Sequence, residues 1–292
     1  MAKTANRIFT LLVGGLTVLA MLSLAFVIWF VAKEALPLFQ EVSPAAFFLG
    51  SRWMPVDFGN GMSFGIFNFI MGTLAVSLTG MLLALVVGLG AALYLSCAAT
   101  ERVRTLLYPV IDLLAGIPSV VYGFVGLMVL KPIFIRAGVK TGLCVLAAGI
   151  VLAVMLLPYL ISASSETMLK ARTRCLPSAM ALGISKWDAA AGIVLPASAR
   201  NILMSAGLAV GRAMGETMAV MMVMGNANLF PKLLGKGESI AALIALEMGT
   251  AVADSTHYHA LYAAGFALMI LLFMINLGIS ALRSRLLRGS GI

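Results

Sequence analysis

Charge is scarce in this chain: 11% of its 292 residues are Asp, Glu, Lys or Arg, 62% are hydrophobic, and the mean hydropathy is +1.07. Soluble domains carry about 25% charge, so a water-soluble globule is excluded. Cysteine is nearly absent as well. Cys97, Cys144 and Cys175 lie too far apart for a disulfide framework or a paired zinc spacing, and they read as small buried hydrophobes. There are two histidines, His257 and His259, and no cysteine or carboxylate cluster beside them completes a metal site, so they read as interface residues. Gly88-Leu89-Gly90 lacks the third glycine and the strand-turn-helix setting of a dinucleotide fingerprint. Gly235-Lys236-Gly237-Glu238-Ser239 lacks the first glycine of a phosphate loop. Ser164-Ser165-Glu166 reads as the capped start of a loop and belongs to no Ser, His and Asp constellation. No cofactor, metal or ATP site is expected in this chain, and no enzyme activity.

Long apolar runs are abundant. About 20 apolar residues cross the hydrocarbon core as a helix that satisfies its own backbone. Six such runs occur, at about Ile8–Val31, Ile66–Leu95, Leu113–Leu130, Leu143–Ser162, Asn201–Met224 and Ala260–Leu282. The first is too long for a signal-peptide core and ends in Trp29, Lys33 and Glu34 with no small-residue cleavage pattern, so it is read as a retained span. The second, some 30 residues or about 45 Å as a helix, must tilt or project. Ser239–Ala253 reads as a re-entrant or surface helix, being short and carrying Glu247. The expectation is an all-α polytopic membrane protein of six transmembrane helices. Residues 1–65 form an N-terminal span and extracytoplasmic loop, 66–282 a core of five spans containing a cytoplasmic loop at 163–200, and 283–292 a basic tail.

Basic residues set the orientation. Lys3, Arg7, Arg102, Arg104, Lys170, Arg172, Arg174, Lys186, Arg200, Arg283, Arg285 and Arg288 fall on the side of both termini. Lys33, Arg52, Lys131, Arg136, Lys140, Lys232 and Lys236 fall opposite. Twelve against seven predicts cytoplasmic termini, and the positive excess is mostly topogenic, with no reason to invoke nucleic acid.

Arg212 belongs to neither side. It lies inside the fifth span, four residues before Glu216, with Gly211 and Gly215 at the same interval. A charge at bilayer depth costs at least about 2.5–3.5 kcal/mol and requires a partner or a wet cavity. On one helix face the two residues would pair. Two readings follow: Arg212 offers its donors to a tetrahedral oxyanion in transit while Glu216 moderates the attraction, or the pair is a structural lock between spans. Thr217 is a weaker pathway candidate, since a span hydroxyl often bonds its own backbone. Pro118, with Gly116, Ser119 and Gly123, predicts a broken third span lining a cavity. Tyr122 there is either an anion donor or a packing aromatic.

The segment after the fourth span is neither a short turn nor a polar linker. Pro177 is expected to open a helix over Pro177–Leu182, Gly183 to turn the chain, Ser185 to cap a second helix over Lys186–Ala191, and Pro196 to stop it. Gly183, followed by Ile193 and Leu195-Pro196, resembles the signature loop of permease subunits of binding-protein-dependent ABC importers. Pro177-Ser178-Ala179 stands where that family usually has Glu-Ala-Ala. Asp112 to Gly123, Gly211 to Val220, Trp53-Met54-Pro55 with Phe58-Gly59, and Gly72-Thr73-Leu74 are similar to segments of the phosphate-specific permeases, PstC type. The likeness covers roughly residues 35 to 282. It implies the type I importer permease fold in a bacterial inner membrane, and phosphate, or another tetrahedral oxyanion, as cargo. It implies as partners a second homologous permease, a dimer of ATP-binding subunits, an extracytoplasmic phosphate-binding protein and membrane lipid. ATPase coupling would then fall to Ala179, Gly183, Trp187, Ile193, Leu195 and Pro196, and the substrate pathway to Arg212, Glu216, Thr217, Ser119 and Tyr122.

Overall fold

The structure is a computed structural model that describes residues 2–57, 59 and 61–289. Helix α1 (Ala2–Ala35) is followed by two short helices, α2 (Leu38–Glu41) and α3 (Pro44–Leu49), and by a two-stranded antiparallel hairpin, β1 (Trp53–Met54) with β2 (Ser63–Phe64). Then come α4 (Phe67–Leu93), α5 (Glu101–Ala115), α6 (Ser119–Arg136), α7 (Val145–Ala181), α8 (Lys186–Ala189), α9 (Leu195–Gly215), α10 (Met218–Met224), α11 (Ile240–Glu247) and α12 (Thr256–Gly289). Phe58 of the hairpin motif and residues 290–292 of the expected tail lie outside the described residues. Six helical segments among the described residues are long and apolar enough to cross a membrane.

The core seam joins α4 to α7. A Cβ on Gly80 would stand 3.0 Å from Leu152, and one on Gly88 3.4 Å from Leu160; the matched increments along both helices make them parallel. Small residues let the backbones approach closely where no hydrophobic drive separates protein from lipid. Around this seam pack α9 and α10, and Ala209, Ala213, Val220 and Val223 are buried in the same cluster. Helix α1 stands apart, its apolar face exposed over most of its length, and meets α12 near Phe30 and Tyr262.

Two predicted spans are redrawn. The third begins at Ser119, not Leu113, because Pro118 lacks an N–H and biases Ile117 away from the helical region. The chain therefore stops at Ala115 and restarts with Pro118 as the residue before α6. The helix upstream, α5, turns Ile111 inward and leaves Leu106, Val110 and Leu113 exposed. The fourth span does not end at Ser162. Helix α7 runs on to Ala181 with Pro158 and Pro177 inside it, so Ser164-Ser165-Glu166 is helix interior and Pro177 opens nothing. At the end of α4 a π-helical turn, Tyr94–Ala98, exposes carbonyls that Arg104 and Arg172 cap, the former donating to Leu95 O and Ser96 O and the latter to Ser96 O at 2.7 Å.

On the opposite side the hairpin, α11 and the start of α12 form one cap. Trp53 Nε1 donates to Glu247 Oε2 at 2.8 Å, and His257 Nε2 meets the same oxygen at 2.8 Å. His259 Nδ1 lies 2.8 Å from Glu34 O, so both histidines bind between elements, in line with their reading as interface residues. Helix α11 is shorter than the expected Ser239–Ala253 segment, ending at Glu247, and is capped by Ser239 and buried along Ile240–Leu243. Beside it the Glu238 carboxyl is buried and near Glu247; lost hydration, then repulsion, push its pKa up to about 7 from an ordinary 4.5. The folded chain therefore holds a proton that the unfolded chain releases, and stability falls as pH rises between those values. Glu238→Gln is expected to flatten that fall, measured as thermal unfolding in detergent from pH 4 to 8 (about the span of the two pKa values); an unchanged slope would remove Glu238 as its source.

Candidate functional site

The fifth span is where local sequence and apolar surroundings conflict. Helix α9 ends at Gly215, Glu216 is extended (φ −71°, ψ 119°), and α10 starts at Met218. The break exposes backbone groups that lipid cannot satisfy. The Ala219 N–H donates to Glu216 Oε1 at 3.3 Å, and Thr217 Oγ1 donates to Gly215 O at 3.3 Å, so both side chains serve the broken ends. This corrects the expected pairing. Glu216 is no longer helical, it faces α10, and among the described residues no ion pair joins it to Arg212.

Arg212 itself is exposed and, among the described residues, forms no hydrogen bond or ion pair. It sits on a face of α9 that the rest of the chain leaves uncovered, with Met204, Leu208 and Gly215 at helical spacing. That face reaches Asn201, which with Thr167, Lys170, Thr173 and Arg174 lines an open cleft of about 660 Å³ between the later part of α7 and the start of α9.

The structure does bring the third-span candidates to the break. A Cβ on Gly123 would fall 2.9 Å from Ala219 Cα, and one on Gly126 3.3 Å from Val223, so α6 and α10 run side by side with their N-termini level. Ser119 thus stands at the start of α6, on the side of the break between α9 and α10. Tyr122 is committed elsewhere: its hydroxyl donates to Leu114 O at 2.7 Å, tying the end of α5 to α6. The third span itself is not broken: Pro118 precedes α6, and the break falls between α5 and the span.

The loop after α7 is compact and helical. Gly183 has φ +81°, its N–H donates to Met180 O, and the Ile184 N–H donates to Ala179 O at 3.1 Å, the paired bonds of a Schellman turn. Ser185 Oγ accepts from Asp188 N and so caps α8 as expected. Ala179, Ile193 and Leu176 pack with Ala189 in a small core of their own. Leu182 (80% exposed) and Trp187 (58%) project from its tip. Pro196 does not stop this helix. The Leu195 N–H reaches back five residues to Ala190 O, closing a π-helical turn at Ala190–Val194, and that wider turn absorbs the proline into α9, where Leu195 packs inward.

A broken, partly polar span against a glycine seam, with a self-packed helical knob at one end, defines a multi-pass membrane transport subunit. Residues 80–288 match the family described as binding-protein-dependent transport system inner membrane component. The chain is 37% identical to the phosphate transport system permease protein PstC of Xylella fastidiosa (strain Temecula1 / ATCC 700964), covering 94% of this chain and 88% of that one. It is 34% identical to the probable ABC transporter permease protein YqgH of Bacillus subtilis (strain 168), over 85% and 80%. In fold it is similar to a chain of the MetNI methionine ABC transporter in an inward-facing conformation, with TM-score 0.57 and 17% identity over 73% of this chain and 92% of that one. The chain belongs to the family of binding-protein-dependent transport system inner membrane components.

Sequence reasoning missed Asn276. It is an exposed amide inside the sixth span whose Nδ2 lies 3.9 Å from where a Gly211 Cβ would stand. An amide within an apolar run was the available signal. Because Glu216 and Arg212 do not touch, Arg212→Gln and Glu216→Gln are expected to change thermal stability additively, within about 0.5 kcal/mol. A double-mutant cycle in detergent checks this, and a larger coupling would restore the ion pair.

Proposed function

We propose that this chain is one of two permease subunits of an ATP-driven importer for inorganic phosphate. The relatives named as phosphate permeases align over nearly the whole chain, and the observation that carries the reading is Arg212, an unpartnered guanidinium on the uncovered face of a broken span. Such a charge is costly against lipid, and its fork of donors suits the oxygens of a tetrahedral oxyanion. The uncovered face of α9 would meet a second, homologous permease, leaving a polar route between the two chains. Ser119 and the backbone at Glu216–Thr217 would line the same route. Glu216, which caps α10, and Tyr122, which ties α5 to α6, would position its walls.

The basic residues favour cytoplasmic termini, which puts the knob around Gly183 in the cytoplasm. Two ATP-binding subunits would dock there on Leu182 and Trp187, while the cap of hairpin, α11 and α12 would receive an extracytoplasmic phosphate-binding protein. ATP hydrolysis belongs to the partner subunits. This chain transmits their closure through the continuous helix from Lys186 to Gly215, whose far end carries Arg212.

The test is ATP-dependent phosphate uptake by the full complex in proteoliposomes. Arg212→Gln is expected to lower uptake at least about tenfold, as loss of one charge-assisted hydrogen bond worth about 1.5–3 kcal/mol requires, while assembly and ATP hydrolysis persist. Unchanged uptake would reduce Arg212 to a packing residue. Trp187→Ala removes an exposed aromatic anchor, so ATP hydrolysis stimulated by the binding protein is expected to fall about tenfold or more. Full stimulation in that variant would place the docking contact elsewhere.

A further inference from the structure

Helices α9 and α12 do not close fully on each other. Between them runs a groove lined by Met204, Gly207, Leu208, Asn276, Ile279 and Ser280, with a volume of about 150 Å³. Gly207 lets the two helices approach closely, since a Cβ there would press on Ile279 at 2.9 Å, and a Cβ at Gly211 would come within 3.9 Å of Asn276 Nδ2. Arg212 is one turn beyond Leu208 on the same face of α9, and its neighbour Gly211 faces Asn276, so the guanidinium's helix position adjoins the end of the groove.

Asn276 is the amide in that groove. Its Nδ2 donates to Leu272 O at 2.9 Å, which fixes the orientation of the side chain. Its Oδ1 accepts nothing among the described residues and is left as a free acceptor beside the groove. An acceptor is of no use to an oxyanion that carries only lone pairs. Phosphate differs, because near neutral pH, where its second ionisation falls at roughly 6–7 by analogy with phosphate esters, it still bears a P–OH proton. Sulfate has none.

We propose that Asn276 is a substrate-contacting, specificity-determining residue of the transport route. Its Oδ1 accepts a hydrogen bond donated by the P–OH group while Arg212 donates to the ionised oxygens of the same phosphate. The groove thus recognises a singly or doubly charged, protonated tetrahedral oxyanion and leaves a fully ionised one facing an unanswered acceptor, since a site built to hydrogen-bond a substrate hydroxyl rejects an analogue that lacks it. This rests on the reading of the chain as a phosphate permease.

The experiment uses the complete complex, with both permeases, the ATPase subunits and the binding protein, in proteoliposomes supplied with inorganic phosphate. Asn276→Leu is expected to lower phosphate moved per ATP hydrolysed by at least about tenfold, with complex yield and ATP hydrolysis retained. Asn276→Gln, which keeps the acceptor one methylene further out, is expected to recover part of the loss. In the complex without binding protein, stabilisation against heating by phosphate is expected to exceed that by sulfate, and Asn276→Leu to erase the difference. Wild-type phosphate transport per ATP in Asn276→Leu, or a phosphate preference that survives the substitution, overturns the proposal. So does loss of assembly in both Asn276→Leu and Asn276→Ala, which assigns the amide to helix packing. Arg212→Gln runs in parallel: if it abolishes uptake while Asn276→Leu does not, this inference fails and the phosphate reading stands; if wild type carries no phosphate, that reading fails first.

Discussion

A helix that stops within an apolar layer must find partners for the amides and carbonyls it exposes, and the fifth span of this protein is organised around that requirement. Gly215 ends α9, Glu216 supplies an acceptor to the first turn of α10, and Thr217 supplies a donor to the last carbonyl of α9. Those contacts account for two side chains that would otherwise be free to meet Arg212. The guanidinium is consequently left on the exposed face of α9.

The rest of the fold holds that surface in place. The parallel seam of α4 and α7 is narrow because glycines line it, and α9 and α10 pack against it through alanine and valine, so the break cannot slide without disturbing tight contacts. At one end the wide turn at Ala190–Val194 makes a single helix out of what Pro196 would suggest are two fragments. Motion at the knob would therefore pass along α9 as a rigid rod. At the other end Trp53, Glu247 and His257 bind the hairpin, α11 and α12 into one body, which gives the far side of the membrane a firm rim.

Much of this was legible in the residues. Six apolar runs long enough to cross a bilayer admit few arrangements other than helices, because only a helix or a closed barrel satisfies its backbone in lipid. Gly183 and Ser185 were legible as turn and cap, since a left-handed residue and a side-chain acceptor are local demands. The prolines were not. Pro118 and Pro196 carry the same chemistry, yet one breaks a helix and the other is absorbed, and the difference lies in the π-helical turn before Pro196, whose residues pack against α4 and α7. The spacing of Arg212 and Glu216 misled for a related reason: the spacing argument assumes a continuous helix, and the helix ends between them.

Sequence by itself determined the spanning helices, the knob's turn and the presence of an intramembrane arginine, because each follows from hydropathy or a local backbone preference. Tertiary structure alone decided where helices break, which side chains the broken ends consume, and that Asn276 on the sixth span shares a groove with the turn preceding Arg212. The groove depends on α9 meeting α12, as at Gly211 and Asn276, and periodicity within one helix carries no information about which neighbour lies across it.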